Sequence, residues 1–428
     1  MNLKNNYILF IYSILYLSLL FGFYFNEDFT LGYKTDHFIH LEIISLFENN
    51  FLATLLNFNN NTIFRSDDLD FTTAHSPFFY IIYLSLKKIL FGNDFLLRLI
   101  NLHISLLIPF IFYLLLKNKF HFKKNDIRIL IPGIFFLSPY FRSGAIWIGS
   151  ENISLIFLFA SFYFYLLFSI NKNKKFDLII LNIIFLSLAC YFRPIFSIFS
   201  IYFFFALYKD LINIKKIFQY ILINIILAFP AFYYVFILGV NFFAMHIDQP
   251  ITISRFVNQF AIASSILFYY SIPFVVFNFN ELKKTFYELK NYFIILIYLI
   301  ILFIFFHYAF SHGGGIFYKF SNILFSNNYI FYFISCISLI YFKNVFIDKI
   351  KIEKSFNDLI LFFTLIFLEI DTVIYHETYD LIFYVIFFTL AKNIYFLNFL
   401  KKPNKIKITF LYCFSSFFLI ITILKNYI

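Results

Sequence analysis

Residues 95–116 read FLLRLINLHISLLIPFIFYLLL, and the next twelve residues, 117–128, read KNKFHFKKNDIR. The first stretch has 22 residues. At about 1.5 Å per residue, a helix of that length crosses the roughly 30 Å hydrocarbon core of a bilayer. The second stretch carries five Lys or Arg residues. A long apolar run that ends in a basic segment is typical of a spanning helix whose end faces the cytoplasm.

The same alternation of apolar and basic segments extends along the chain. Of the 34 Lys and Arg residues, 24 lie in seven short gaps between apolar runs, and these are every second gap. Cytoplasmic loops hold the basic residues of membrane proteins, so the intervening gaps face outward. Hydrophobic residues make up 62% of the chain and the mean hydropathy is +0.82, which excludes a soluble domain of this length. The net charge of +11 is spread over the basic gaps, which argues against nucleic-acid binding.

Reading each long apolar run as a helix predicts an all-α, polytopic membrane helix bundle with about 13 transmembrane helices. We expect a single transmembrane domain over residues 1–428, with the N-terminus in the cytoplasm and the first run retained as a signal anchor. We expect a multi-pass protein located in a bacterial inner (plasma) membrane. The predicted spans are residues 7–25, 95–116, 129–141, 153–170, 178–192, 195–208, 217–240, 256–277, 292–310, 329–342, 359–374, 381–400 and 408–424.

Residues 26–94 form one long extracytoplasmic loop in this topology, provided that residues 76–92 (SPFFYIIYLSLKKILFG) do not cross the membrane. If they crossed, the basic segment that follows residue 116 would face outward and the alternation would invert. Their length of 17 residues and the pair Lys87 and Lys88 favour a helix lying in the outer interface, with lysines reaching toward the headgroups.

The first outer loop contains two polar patterns suited to chemistry. Asp36 and His40 are four residues apart, so they share one face if the segment is helical. A carboxylate there can accept a proton from a sugar hydroxyl while His40 orients it or contacts the acceptor; the alternative is a solvated loop acid. Farther along, Ser76 and Pro77 suit a helix start. Asp70, Thr73 and His75 precede that start and are free to contact a polar ligand.

Three single arginines at predicted outer ends suit the capture of a lipid phosphate, because a guanidinium matches phosphate oxygens with a planar fork. They are Arg98 in LLRLIN, Arg142 after Pro139, and Arg193 before Pro194. For each one alone, reaching to headgroups or pairing with Glu151 is an equally simple explanation. Further candidates for substrate contact in outer gaps are Glu151, His246, Asp248 and His312.

Several classes of site have no signature in the sequence. No pair of His, Cys, Asp or Glu has a firm metal-ligand spacing, and the three cysteines lie in apolar runs. We therefore predict no metal site and no firm cofactor, although a divalent cation stays an open alternative. The sequence lacks a Walker loop, a dinucleotide fingerprint and a nucleophile elbow.

The arrangement of these motifs resembles the GT-C superfamily of multi-span glycosyltransferases, and within it the dolichol-pathway α-1,2-glucosyltransferases. The resemblance covers residues 24–200. Residues 36–40 (DHFIH) are similar to a D-E-x-F-H motif, and the stretch from Asp70 through Thr72-Thr73 to Pro77 and Tyr80 is similar to W-D-x-x-x-T-T-P-P-x-x-Y. Leu97-Arg98 with Asn101 is similar to L-R-x-x-N, and Phe192-Arg193 to F-R. The chain departs from these motifs at His37, at Leu69 and in having only Pro77 of the paired prolines.

This resemblance implies a glycosyltransferase that moves a sugar from a polyprenyl-phosphate donor to a glycan, lipid or protein acceptor at the extracytoplasmic face. It implies inverting single displacement with Asp36 as the base, and Arg98, Arg142 and Arg193 at the donor phosphate. The alternatives are a flippase, or a polymerase or ligase of lipid-linked glycans. A flippase needs charged residues deep in its spans and often repeated halves, whereas the ionisable residues here collect in the outer gaps.

Overall fold

The computed structural model describes residues 5–29, 32–56, 58, 63–64, 70–71, 76–123, 126–171, 175–208, 211, 213–237, 252–309, 313–348, 352–368, 373–391, 399–400 and 404–425. Across these residues the chain is helical apart from turns, short irregular segments and one two-residue antiparallel pair, Ile63–Phe64 (β1) with Asp70–Phe71 (β2). The chain divides into two compact units. Unit 1 comprises Met1–Ser200, Leu207–Met245 and Pro403–Ile428, and unit 2 comprises Ile201–Ala206 and His246–Lys402.

Unit 1 contains residues 26–94 and most of the apolar helices of the N-terminal half. Two 3₁₀ segments, Ile127–Leu137 and Pro194–Ile198, and one π-helical turn, Tyr233–Ile237, interrupt the α-helices. Its α-helices are Asn5–Tyr24 (α1), Tyr33–Asn49 (α2), Phe51–Leu56 (α3), Pro77–Ile89 (α4), Asp94–Ser105 (α5), Leu107–Phe120 (α6), Pro139–Ile146 (α7), Ser150–Ile170 (α8), Phe176–Phe192 (α9), Phe199–Leu207 (α10, whose residues 201–206 belong to unit 2), Ile214–Phe232 (α11) and Lys405–Lys425 (here α19).

Unit 2 is built around its longest helix, Ile253–Phe277 (α12). Aromatic rings of this helix pack against rings of neighbouring helices, as in the pairs Phe268–Tyr341 and Phe274–Phe388. The other helices of unit 2 are Phe279–Phe286 (α13), Leu289–Phe305 (α14), Gly315–Phe325 (α15), Tyr329–Lys343 (α16), Ile352–Ile366 (α17) and Glu377–Thr389 (α18).

Among the described residues, seven helices are long and apolar enough to cross a membrane, which indicates a multi-pass membrane protein. One bent pair of helices brings the number to eight, and four further apolar helices are shorter. The prediction of about 13 spans is therefore not confirmed. The seven candidates are Asn6–Tyr24, Asp94–Phe120, Ser150–Ile170, Ile214–Phe232, Ile253–Phe277, Tyr329–Phe346 and Lys405–Leu424.

The predicted span at residues 129–141 falls on the bent pair, where a 3₁₀ segment and α7 meet at 67°. Ser138 and Pro139 explain the break: the Ser138 hydroxyl accepts a hydrogen bond from the backbone N–H of Phe141, and Pro139 is the first residue of α7. Proline cannot continue the preceding hydrogen-bond ladder, but it fits the first turn of a new helix. Hydropathy alone does not reveal this change of direction.

Residues 76–92 form the helix that the sequence predicts, with α4 running from Pro77 to Ile89. Its 13 residues extend only about 20 Å, so it is too short to cross a bilayer upright. The Ser76 hydroxyl does not cap α4 as expected, because it donates its hydrogen bond to the carbonyl oxygen of Tyr191 on α9. One face of α4 packs on α2 through a buried core that includes Ile44, Phe47, Phe79, Tyr80 and Tyr83.

In unit 2, two non-helical segments enter the helix bundle alongside α12. The first follows α14: the backbone of His307 exchanges two hydrogen bonds with the side chain of Asn258, and Gly315 then lies against Ile266. Asn258 and Ile266 are eight residues apart on α12, which corresponds to about 12 Å along the helix. His307 and Gly315 therefore contact α12 at levels that differ by about that distance.

The second segment follows α17 and descends in the same direction. The carbonyl oxygen of Ile366 accepts a hydrogen bond from Gln259, whereas the ring of His376 lies 5.0 Å from the ring of Tyr270. Gln259 and Tyr270 are about 16 Å apart along α12. Both segments thus start near the N-terminal end of α12 and reach its middle, where α15 and α18 begin.

Candidate functional site

Residues 27–29, between α1 and α2, connect these two helices to α7. The Glu27 carboxylate pairs with Arg142 of α7, and the Glu27 carbonyl oxygen accepts a hydrogen bond from the indole N–H of Trp147 at 2.9 Å. The backbone N–H of Phe29 donates to the Ser143 hydroxyl. We call residues 27–29 the clamp, because their contacts fix the chain between α1 and α2 against α7.

Arg142 uses its whole guanidinium group inside the protein. Its Nε and Nη2 atoms bond both carboxylate oxygens of Glu27, at 2.5 and 2.6 Å. Nη1 donates to the Ser18 hydroxyl and the Phe136 carbonyl oxygen, and Nη2 also donates to the Ser18 carbonyl oxygen. A guanidinium has five N–H donors, so all of them are engaged. Binding of a ligand phosphate at Arg142 would require breaking a buried ion pair.

Gly22 on α1 makes room for this ion pair. A Cβ atom at that position would lie 2.2 Å from Glu27 Oε2 and 3.0 Å from Arg142 Nη2. Any larger residue would therefore push the carboxylate away from the guanidinium. By contrast, a Cβ atom at Gly32, at the start of α2, would have nothing within 4 Å.

Asp28 and Asp36 lie on either side of the α2 N-terminus and have different roles. Asp28 Oδ2 accepts a hydrogen bond from the backbone N–H of Lys34 at 2.9 Å, so it caps the helix. Asp36 lies in the first turn and its side chain is exposed. Surrounding protein nevertheless raises the pKa of Asp36 to about 6, chiefly by partial desolvation and also through the charges of Glu151 and Asp28.

Glu151 connects Asp36 electrostatically to one of the predicted arginines. It lies in the first turn of α8, where its charge acts on Asp36. One Glu151 oxygen lies 3.8 Å from Nη1 of Arg193, whose side chain is 16% exposed. This is a loose ion pair compared with Arg142 and Glu27. Asp36, Glu151 and Arg193 therefore form a partly open cluster of charges, which we call the acidic–Arg193 site.

Arg98 is held beside the only tryptophan of the chain. Its Cζ atom lies 3.7 Å from the ring centre of Trp147, and its Nε and Nη2 atoms donate to the Ile146 carbonyl oxygen and the Asn26 side chain. Arg98 is 8% exposed. Lys34, two residues before Asp36, places its ammonium nitrogen 5.8 Å from the same ring.

His40 and His37 lie on α2, but both are buried. His40 packs on Phe79 and its Nδ1 lies 3.4 Å from the Tyr80 hydroxyl, so it belongs to the contact between α2 and α4. His37 Nε2 lies 3.2 Å from Asp94 Oδ1 at the start of α5. The His37 ring also packs 5.4 Å from the ring of Trp147. The burial of His37 and His40 is not evident from the sequence, because a four-residue spacing does not show which side of a helix is covered.

The tryptophan and the clamp were missed from the sequence. Trp147 contacts Arg98, His37 and the clamp, yet a lone aromatic residue between two apolar runs carries no distinct signal. Its being the single tryptophan among 73 Phe and 33 Tyr residues could have directed attention to it.

Six predicted substrate contacts cannot be placed. Only the backbone of Asp70 is described, in β2, and the other five lie outside the described residues. These are Thr73, His75, His246, Asp248 and His312. Within the described part of the chain, no group of three or more His, Cys, Asp or Glu residues could hold a metal ion.

No family model matches the chain, and neither a curated protein nor a solved structure matches it.

Proposed function

We propose that this protein is a membrane glycosyltransferase that moves a sugar from a polyprenyl-phosphate donor to an acceptor hydroxyl at the acidic–Arg193 site. The supporting observation is the exposed Asp36, whose pKa is raised to about 6 partly by Glu151, the residue that lies 3.8 Å from Arg193. A general base is most effective when its pKa lies near the working pH, because it is then both ionised and basic. The motif resemblance to GT-C enzymes at the same residues supports the same assignment.

In the proposed reaction, Asp36 takes the proton of an acceptor hydroxyl as that oxygen attacks the anomeric carbon of the donor sugar. The bond between this carbon and the phosphate oxygen breaks on the opposite side, and the electron pair leaves with the polyprenyl phosphate. The configuration at the anomeric carbon is inverted. A well-placed base contributes about 10²–10⁴-fold to such a step.

Among the three arginines, Arg193 is our candidate for the leaving phosphate. Its side chain is 16% exposed and lies 3.8 Å from Glu151, so a phosphate can reach the guanidinium. Arg142 has no donor left for a ligand, and we assign it to the clamp. Arg98 is nine-tenths buried on Trp147, where it supports the start of α5. A fixed cation stabilises the charge that develops on the leaving group.

The test is transfer by purified Asp36→Asn in nanodiscs, with a panel of polyprenyl-phosphate sugars and products identified by mass spectrometry. We expect transfer to fall by about 10²–10⁴-fold, because asparagine cannot accept the proton. Glu48→Gln is the matched control, since it makes the same acid-to-amide change on α2 at a residue paired with Lys87. Undiminished transfer by Asp36→Asn would remove Asp36 from the mechanism.

A second test separates the arginines. Arg193→Ala should lower kcat by about 10²-fold or more while the thermal midpoint stays close to that of the native protein, because this cation acts on the leaving group. Arg142→Ala should lower the thermal midpoint, because it leaves Glu27 buried without its partner. If Arg193→Ala transfers sugar at the native rate, the phosphate role of Arg193 is wrong.

The alternative function is a flippase, and one observation favours it. His376 and Asp380, at the start of α18, are buried beside the middle of α12, where a flippase would need polar groups. Vesicles that contain the protein and a fluorescent polyprenyl-phosphate sugar distinguish the two functions. Loss of fluorescence to an external quencher beyond the outer-leaflet fraction supports a flippase, whereas a new glycosidic product supports the transferase. A polymerase or ligase would instead lengthen or attach a preassembled glycan in the same product analysis.

A further inference from the structure

The two non-helical segments beside α12, one between α14 and α15 and the other between α17 and α18, are joined to each other where they end. The backbone N–H of Gly314 donates to the Ile374 carbonyl oxygen at 2.9 Å, and the Ile374 N–H donates to the Tyr308 hydroxyl at 3.1 Å. The Tyr308 carbonyl oxygen in turn accepts a hydrogen bond from Tyr318 of α15. These bonds satisfy backbone groups that the loss of helix would otherwise leave unpaired in an apolar bundle.

Three consecutive glycines allow the first segment to lie flat on its neighbours. Gly314 and Gly315 have φ values of +90° and +72°, which side chains rarely adopt. A Cβ atom at Gly315 would lie 2.6 Å from Ile266 of α12 and 3.8 Å from Nδ1 of His376. The backbone of Gly315 thus lies between α12 and the start of α18.

Polar side chains from three helices meet where the segments end. The His376 ring lies 5.0 Å from the ring of Tyr270 and 5.6 Å from that of Tyr269. Asp380 follows His376 by one turn of α18, so it shares its face and is 3% exposed. Lys319 follows Gly315 by one turn of α15. We call these five residues, with Tyr384, which packs on Tyr270, the mid-bundle cluster.

Non-helical backbone at the depth of a spanning helix is rare, and where it occurs it commonly lines a binding site for a polar substrate. Ionisable residues at this depth are costly unless they serve a function. Both features occur together in the mid-bundle cluster, and the two segments that form it both enter from the N-terminal end of α12. A single polar core residue would not require two interrupted helices.

The charges of the cluster restrict the chemistry of a ligand. An anion would meet the carboxylate of Asp380, in the first turn of α18. A cation would meet Lys319 on α15. Tyrosine hydroxyls, an imidazole and aromatic ring faces instead suit an uncharged group that offers several hydroxyls, since each can both donate and accept hydrogen bonds.

From this geometry we propose that the mid-bundle cluster is a binding site for the hydroxyl groups of a sugar ring. The site belongs to unit 2 alone and does not depend on the transfer chemistry proposed for Asp36. It assigns a role to residues 313–319 and to the start of α18, neither of which the acidic–Arg193 site uses.

The experiment is photo-crosslinking of the full chain in nanodiscs with an octyl β-D-glucoside that carries a diazirine next to the sugar. We expect crosslinked peptides from residues 266–270, 313–319 and 373–384, and competition by unmodified octyl β-D-glucoside. Octyl phosphate and octyltrimethylammonium should not compete, because the cluster disfavours both charges. Asp36→Asn should crosslink as well as the native chain, so this result is separate from that of the transfer assay.

Two variants test the assigned residues. Tyr270→Phe and His376→Gln should each lower the crosslinking yield by about tenfold, since each removes a protein group that would hydrogen-bond the ligand. Tyr298→Phe is the matched control, because its buried hydroxyl bonds Ser335 at 2.9 Å elsewhere in unit 2. Competition by octyl phosphate equal to that by octyl glucoside, or crosslinks spread evenly over the chain, would overturn the proposal. The competition measurements use the native chain and stay decisive even if a variant fails to fold.

Discussion

At the scale of single residues, the proposed chemistry depends on which acidic side chains already have an ion-pair or hydrogen-bond partner. Glu27 is neutralised by Arg142, and Asp28 caps α2. Asp36 has neither kind of partner among its described contacts, and it is the acid whose pKa is raised to about 6. Sequence position does not distinguish these three acids, which lie within ten residues of one another. Their hydrogen bonds do distinguish them.

The raised pKa of Asp36 predicts the acid side of the pH profile. The base is active only when ionised, so transfer should fall as the pH drops through about 6. The negative charge of Glu151 raises the Asp36 pKa, so Glu151→Gln should move that midpoint to lower pH. In that variant Glu151 no longer offsets the positive charge of Arg193, which acts in the same direction.

The measurement is kcat/KM from pH 4.5 to 8 for the native protein and Glu151→Gln. Glu48→Gln, which lies on the same helix, should leave the midpoint unchanged. A midpoint that stays in place in Glu151→Gln would mean that Glu151 does not act on the base.

At the scale of helices, the clamp determines where α2 begins and therefore where Asp36 points. It joins α1 to α7 through the Arg142–Glu27 pair and reaches Trp147 through a backbone carbonyl group. Removing one partner of a buried ion pair costs about 3–5 kcal/mol, because the remaining charge is left buried and uncompensated. Loss of either Arg142 or Glu27 should therefore destabilise unit 1.

Gly22→Ala tests the clamp without changing any charge. The added methyl group would lie 2.2 Å from Glu27 Oε2, so we expect a loss of about 1–3 kcal/mol and a lower thermal midpoint. Gly32→Ala is the control, because nothing lies within 4 Å of its Cβ position. Emission from Trp147, the only tryptophan, reports the melting of this region directly. Equal midpoints for the two variants would show that the pair tolerates displacement.

At the scale of the whole molecule, the charge alternation predicts how the helices are arranged in the membrane. The candidate span Asp94–Phe120 has 27 residues, about 40 Å of helix, and connects the end of α4 to the first basic segment. Positions on its two sides should therefore face opposite sides of the membrane. Phe91, which is 98% exposed at the turn after α4, and the exposed Lys123 are suitable positions.

We expect Phe91→Cys to react with a membrane-impermeant maleimide added outside intact cells, and Lys123→Cys to react only after the membrane is opened. The background should lack Cys190, Cys336 and Cys413, which are free thiols. Labelling of both positions from the outside would contradict the predicted topology and the outer position of Asp36.

The sequence by itself indicated a helical membrane protein. It also predicted that α4 does not span the membrane, and that Asp36 and Arg193 belong to the functional site. Those conclusions depend on the length of the apolar runs and on the charges beside them, and both are visible in the sequence. The tertiary structure alone decided which arginine is already satisfied, which side of α2 buries its histidines, and where the spans are interrupted. Ion pairs such as Arg142–Glu27 and re-entrant segments such as those beside α12 depend on packing between residues far apart in the chain, and no local pattern encodes such packing.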